Sequence, residues 1–276
     1  MYETIIEDFD IGMIAESGQC FRINQMDTDT YSVISLNRYT EVTQKKGENL
    51  VCFSCGEAEA VKYWLPYFDV GFPYGKIKEQ IDASDEFLRA AVQFGYGIRI
   101  LRQDLWEMIV SFLVSQNNNI KRIKNSIEAI CRNYGEKCIS GNGMEYYAFP
   151  TPEELSEASV EELHSLGLGY RDKYIAAMAR RCSHTEGKAW LRELGEMSGE
   201  EALQTLMKEY GIGRKVAECI CLFGLYHIDA FPMDTHIKQI LSAWYPNGFP
   251  FQRYEGYAGI LQQYMFYYKL NMTNKR

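Results

Sequence analysis

The sequence predicts an α+β protein: a small N-terminal antiparallel sheet domain followed by a mostly helical body. Two observations lead there. Up to about Asp82 the apolar residues fall in short β-branched and aromatic runs separated by turn residues, and beyond it they recur with helical periodicity. A chain of 276 residues has room for more than one unit, and we expect two, 1–82 and 83–276. The C-terminal helix of the second is able to pack back on the first.

In the first unit Cys20–Asn24, Tyr31–Leu36, Tyr39–Gln44 and Leu50–Cys55 read as strands of a meander. Asn37-Arg38 and Lys46-Gly47-Glu48-Asn49 read as its turns, and Glu59–Tyr67 as a helix packed nearby. Little chain precedes the first of these strands, so a minimal sheet domain is expected. In the second unit Asp85–Phe94, Leu105–Ser115, Ile120–Tyr134, Glu153–Ser165, Asp172–Arg181, Glu200–Glu209, Lys215–Leu225, Thr235–Trp244 and Tyr254–Lys269 carry the 3.6-residue period. Thr151-Pro152-Glu153-Glu154 supplies an N-cap, a proline at the first helical position and a capping-box glutamate, and Ser159-Val160-Glu161-Glu162 repeats the box.

Composition narrows the function. Neither a 20–50-residue repeat nor a low-complexity tract is present, which argues against a solenoid or a disordered tail. The net charge of −8 opposes a generic nucleic-acid binder. Any DNA contact must then come from a local patch, from backbone amides and from helix dipoles. Eight cysteines in a chain this long are too dilute for a disulfide framework and point to a reducing compartment. Cys52 and Cys55 form a C-x-x-C without a second pair at zinc spacing, so alternating strand positions are the preferred reading and no metal site is expected. There is no apolar run of about 18 residues, and Met1–Asp10 lacks a basic-then-apolar leader. We expect a soluble monomer that is not secreted and has no membrane partner, cytoplasmic (nucleoid-associated) or nuclear.

The chemistry is announced between two helices. Tyr210-Gly211-Ile212-Gly213 joins Glu200–Glu209 to Lys215–Leu225, and two glycines around one apolar residue make a tight hairpin. The free amides that open the second helix suit one DNA phosphate, bound without net positive charge. Lys215 then lies in the first helical turn, where a cation opposes the macrodipole. That position favours a neutral amine able to attack an electrophilic carbon. Cys219 follows one turn later on the same face. A solvated lysine and a core thiol are the plain alternatives. Downstream, Phe231-Pro232-Met233-Asp234-Thr235-His236 delivers Asp234 to the start of the next helix, as a cap and as a carboxylate able to stabilise developing positive charge.

The hairpin, a lysine two residues after its second glycine and an aspartate nineteen residues later resemble the helix–hairpin–helix base-excision glycosylases. Gly18-Gln19-Cys20-Phe21-Arg22, Ser115-Gln116-Asn117-Asn118-Asn119-Ile120, Leu166-Gly167-Leu168-Gly169-Tyr170-Arg171 and Lys215-Val216-Ala217-Glu218-Cys219-Ile220-Cys221-Leu222 are similar to the 8-oxoguanine DNA glycosylase/AP lyases. The resemblance runs from about Gly18 to Tyr268. It implies a helix–hairpin–helix glycosylase body and duplex DNA containing oxidised guanine as the partner. It implies attack of Lys215 on C1′, a Schiff base and strand nicking by β-elimination, with Asp234 assisting. The Gly18 carbonyl would accept the N7–H of 8-oxoguanine, which guanine lacks. Phe266 and Cys219 would sandwich the flipped base, Gln262 would meet its Watson–Crick edge, and His236 would lie near the phosphate. Asn117 would fill the vacated gap and Tyr170 would wedge the duplex. Arg122 and Arg171 would read the orphaned cytosine with their donor forks. Gly211 and Gly213 would sit at the hairpin phosphate.

Besides the short N-terminus, one departure stands out: Glu209-Tyr210-Gly211 replaces the family's Leu-Pro-Gly. The last cysteine is Cys221, which excludes the relatives with an iron–sulfur cluster, since these need four cysteines near the C-terminus. No cofactor is expected, apart from a monovalent or divalent cation that the hairpin carbonyls of Met207, Glu209 and Ile212 could hold. Three rivals compete. The first is a related glycosylase for alkylated or oxidised bases other than 8-oxoguanine, whose alkylpurine type keeps the aspartate but lacks the lysine. A non-enzymatic hairpin module would leave Asp234, Gly18, Gln262 and Phe266 without a task. A metabolic Schiff-base lyase would have no use for the hairpin.

Overall fold

The computed structural model describes residues 1–273. The first third is a five-stranded antiparallel sheet of order β1-β5-β4-β3-β2. Its strands are β1 (Tyr2–Ile5), β2 (Ile23–Gln25), β3 (Thr30–Ser35), β4 (Arg38–Thr43) and β5 (Leu50–Phe53). The expected turn at Asn37-Arg38 falls one residue earlier, because Arg38 is the last rung, paired with Ser35. The bend is at Leu36, in the left-handed region (φ 55°). Both its backbone groups are held by the helical body, the carbonyl by Phe149 N–H (3.0 Å) and the N–H by Glu107 Oε2 (3.4 Å). A tertiary grip thus places a bend that local turn chemistry would set at the asparagine.

The strand expected from Cys20 starts only at Ile23, and two elements before it were not foreseen, β1 and α1 (Ile11–Glu16). α1 is capped by Asp10, which accepts the Met13 N–H (2.8 Å). The helix expected at Glu59–Tyr67 is present as α2 (Glu57–Glu59), a π turn (Ala60–Trp64) and α3 (Leu65–Tyr67). Buried Trp64, Phe53, Phe68 and Phe9 make this sheet's core.

The remainder is helical: α4 (Tyr74–Glu79), α5 (Glu86–Phe94), α6 (Leu105–Ser115), α7 (Ile120–Tyr134), α8 (Pro152–Ser156), α9 (Val160–Leu163), α10 (Asp172–Ser183), α11 (Thr185–Glu196), α12 (Gly199–Leu206), α13 (Arg214–Phe223), α14 (Thr235–Trp244) and α15 (Ala258–Thr273). A short ladder of β6 (Lys137–Ile139) and β7 (Glu145–Tyr147) interrupts it. The expected helix Glu153–Ser165 is broken in two. Ser159 has the extended backbone of a cap (ψ 159°) and closes its own box with Glu162, so it cannot be a helix interior. α15 begins four residues later than expected, because Asp229 Oδ1 takes the N–H groups of Gly256 (3.0 Å) and Ala258 (3.2 Å). α15 packs on α5, and Gln263 Nε2 donates to the Ser17 carbonyl, so the last helix reaches the segment carrying Gly18. Among the described residues no helix is long and apolar enough to cross a membrane.

α6 is buried along nearly its whole length, including Glu107. Burial pushes the Glu107 carboxyl up to about 7, against the pull of the buried Arg22 guanidinium and with Asp104 adding. The folded protein then holds this proton more tightly than the unfolded chain, so stability declines as pH rises from the carboxylate range towards about 7. The melting temperature should fall between about pH 5 and 7, and Glu107→Gln should flatten that slope. Thermal scans across pH at constant ionic strength check this, and equal slopes would refute it.

Candidate active site

The hairpin between α12 and α13 is shaped by close approach. Gly211 lies at φ 86°, and a Cβ there would stand 2.3 Å from Cγ of Tyr174 on α10. Tyr210 packs edge-on against that ring (4.9 Å), and Gln116 Nε2 donates to the Gly211 carbonyl (3.1 Å). The Glu209 carbonyl accepts the Ile212 N–H (3.1 Å), which closes the turn. Gly213 is the N-cap of α13, in extended backbone, with open space where a Cβ would be and no side chain capping the helix. The first amides of α13 are therefore available to an outside acceptor. Gly211→Ala combines a positive φ with a clash against a rigid ring and should cost about 1–3 kcal/mol in urea unfolding. The loss should shrink in a Tyr174→Ala background, and a cost independent of Tyr174 would refute the steric cause.

Lys215 is the second residue of α13, half-buried, with Nζ 5.8 Å from the centre of the Phe112 ring. One turn on, Cys219 is buried at 3% exposure. Burial pushes its thiol up, the Lys215 charge pulls it down, and the Asp234 and Glu218 carboxylates raise it further. Lys215, Cys219 and Asp234 thus share one electrostatic neighbourhood. Asp234 is the N-cap of α14, where Oδ1 accepts the Ile237 N–H (2.8 Å). Its other oxygen accepts no hydrogen bond among the described residues.

A second group meets on the same segment. Gly18 is at φ 77°, and a Cβ there would touch Cε1 of Phe266 at 3.1 Å. The His236 ring stands edge-on to Phe266 at 5.9 Å. Gln262, one turn before Phe266 on α15, is 4% exposed and donates Nε2 to the Pro232 carbonyl (3.0 Å). Gln262 Oε1 and His236 Nδ1 are both buried and lack a protein partner among the described residues. Buried polar atoms without a protein partner are uncommon in a folded chain, and here two come from residues that meet or neighbour Phe266.

Of the residues expected at the vacated gap and the orphaned cytosine, Asn117, Tyr170 and Arg171 meet. Asn117 is exposed in the left-handed region (φ 44°), and its Nδ2 donates to the hydroxyl of Tyr170 (3.2 Å), itself 48% exposed. Arg171 is buried, at 6% exposed. Its guanidinium stacks on Tyr170 (4.7 Å) and donates to the carbonyls of Gln116 (2.7 Å), Asn117 (2.9 Å) and Leu168 (3.1 Å). Arg122 is exposed on α7. Sequence reasoning missed Gln116, Tyr174 and Glu218. Only Glu218 carried a signal, as the one charged residue in the buried run Val216–Phe223.

The chain matches two family models, the N-terminal domain of 8-oxoguanine DNA glycosylase over residues 2–109 and the HhH-GPD superfamily of base excision DNA repair proteins over residues 110–248. It is 32% identical to an N-glycosylase/DNA lyase of Saccharomyces cerevisiae over 82% of its own length and spans 66% of that relative. The structure of MBOgg1 in complex with a low-affinity DNA ligand superposes with a TM-score of 0.90 at 35% identity, covering 99% of this chain and 100% of that one. A Clostridium acetobutylicum 8-oxoguanine glycosylase/lyase, crystallised on double-stranded DNA with cytosine opposite 8-oxoguanine, gives a TM-score of 0.88 at 34% identity, covering 97% and 93%.

Proposed function

The chain belongs to the HhH-GPD superfamily of base excision DNA repair proteins, with an 8-oxoguanine DNA glycosylase N-terminal domain, and from that membership we propose that it excises 8-oxoguanine opposite cytosine and nicks the strand. The observation that carries this reading is the placement of Lys215 in the first turn of α13, in one electrostatic neighbourhood with the Asp234 carboxylate.

The steps follow from those groups. The amine of Lys215 attacks C1′ of the flipped nucleotide as the glycosidic bond breaks, and the base leaves with the bonding pair. Asp234 stabilises the positive charge that develops on the sugar. The C1′ adduct opens to a Schiff base, loss of a C2′ proton expels the 3′ phosphate, and hydrolysis frees the lysine. The base is held between Phe266 and Cys219, with Gln262 on its edge, His236 near the phosphate and the Gly18 carbonyl taking N7–H. Asn117 and Tyr170 occupy and wedge the gap. Arg122 and Arg171 read the cytosine, for which Arg171 must leave the carbonyls of Gln116 and Asn117. The amides after Gly213 take one phosphate, so an acidic chain binds DNA without a basic face. The protein acts as a monomer wherever the genome lies, in the cytoplasm or the nucleus.

Borohydride trapping on duplexes with 8-oxoguanine opposite each of the four bases tests the reading. We expect a covalent adduct favoured opposite cytosine, with the preference fading in Arg122→Ala and Arg171→Ala. No adduct with any oxidised purine would sink it.

A further inference from the structure

We infer that Glu218 is a positioning residue, which sets the Asp234 carboxylate against the Lys215 helix. The inference deepens the reading above and rests on it. α13 is buried from Val216 to Phe223, and within that run Glu218 is the one carboxylate, 6% exposed. An ionised carboxyl is costly to bury unless its oxygens are engaged. Oε1 accepts from Arg214 Nε (2.9 Å), one turn back on the same helix, which fixes the side chain. Oε2 accepts the N–H of Met233 (3.1 Å), the residue immediately before Asp234.

That second bond spans 15 residues of chain and joins the helix that carries Lys215 to the segment that delivers Asp234. Lys215 stands three residues before Glu218 on a rigid element. Asp234 stands one residue after Met233, with its own side chain fixed at the cap of α14. From the other side, Gln262 on α15 grips the Pro232 carbonyl. The peptide that delivers Asp234 is therefore held by one side chain from α13 and one from α15. Glu218 works from behind the reacting groups. With Arg214 it lines a cleft of about 720 Å³ alongside Tyr226, His227 and Phe231, and neither Lys215 nor Asp234 lines that cleft.

The test is single-turnover excision of 8-oxoguanine opposite cytosine with enzyme in excess, a rate constant that does not depend on the fraction of protein folded. Glu218→Ala should slow it by about 100-fold, the cost of roughly an ångström of misplacement at a reacting centre. The Kd for the duplex, read by fluorescence anisotropy, should move by less than about threefold, since an interaction lost only in the transition state leaves binding alone. Glu218→Gln keeps an oxygen for the Met233 N–H but no acceptor for Arg214, and should recover the rate to within about tenfold of wild type. An unaffected Glu218→Ala, a Glu218→Gln as slow as Glu218→Ala, or a Kd that rises as the rate falls would each overturn the inference while the proposed function stood. A wild-type protein that excises nothing would overturn both.

Discussion

Lys215→Gln should leave no borohydride-trappable adduct and lower excision by on the order of 10⁴-fold or more, the scale seen when a nucleophile is removed from a working site. The same substitution should make the protein slightly more stable. Lys215 sits at the second position of α13, whose start has no capping side chain, so its charge opposes the helix dipole there. Removing it should gain about 0.5 kcal/mol, or 1–2 °C in a thermal scan. A residue retained at a cost to the fold is expected where function requires it. Loss of both activity and stability would mean that the lysine is structural.

Asp234→Asn separates two roles that share one side chain. The cap bond to the Ile237 N–H uses a single oxygen, and an asparagine oxygen can make it. The melting temperature should therefore stay within about 1 °C. The charge is lost, and excision should fall by about 10²–10³-fold, the usual scale for a preorganised group that stabilises transition-state charge. Asp234→Ala should show the same kinetic loss plus about 1 kcal/mol of destabilisation from the missing cap. Equal rates for Asp234→Asn and wild type would remove the carboxylate from the chemistry.

Legibility in the sequence followed the physics of each element. α6, α7 and α14 begin where expected because Asp104, Asn119 and Asp234 announce them, each accepting an N–H of the first turn. β1 was illegible because its half-buried face carries only Tyr2 and Thr4, while the apolar Ile5 lies on the other face, 64% exposed. α11 has no side-chain cap at His184 to mark its start. The site divides the same way. Lys215 and Asp234 could be singled out because each sits at a helix start, where chain position alone fixes the local field. The latch of Arg171 onto Gln116 and Asn117 spans 55 and 54 residues, and the grip of Glu218 on Met233 crosses from α13 to the segment before α14. Neither leaves a periodic or local trace, since both depend on tertiary approach.

The uncapped start of α13 bears on how such a protein would search a genome. A phosphate bound by peptide dipoles displaces few condensed counterions, in contrast to one neutralised by an ammonium group. With a net charge of −8 behind it, the long-range field repels DNA rather than gathering it. Occupancy of undamaged duplex should then be brief and only weakly dependent on salt. Scanning would proceed by many short encounters rather than by long sliding runs, and discrimination would fall mainly on how long a captured lesion is held.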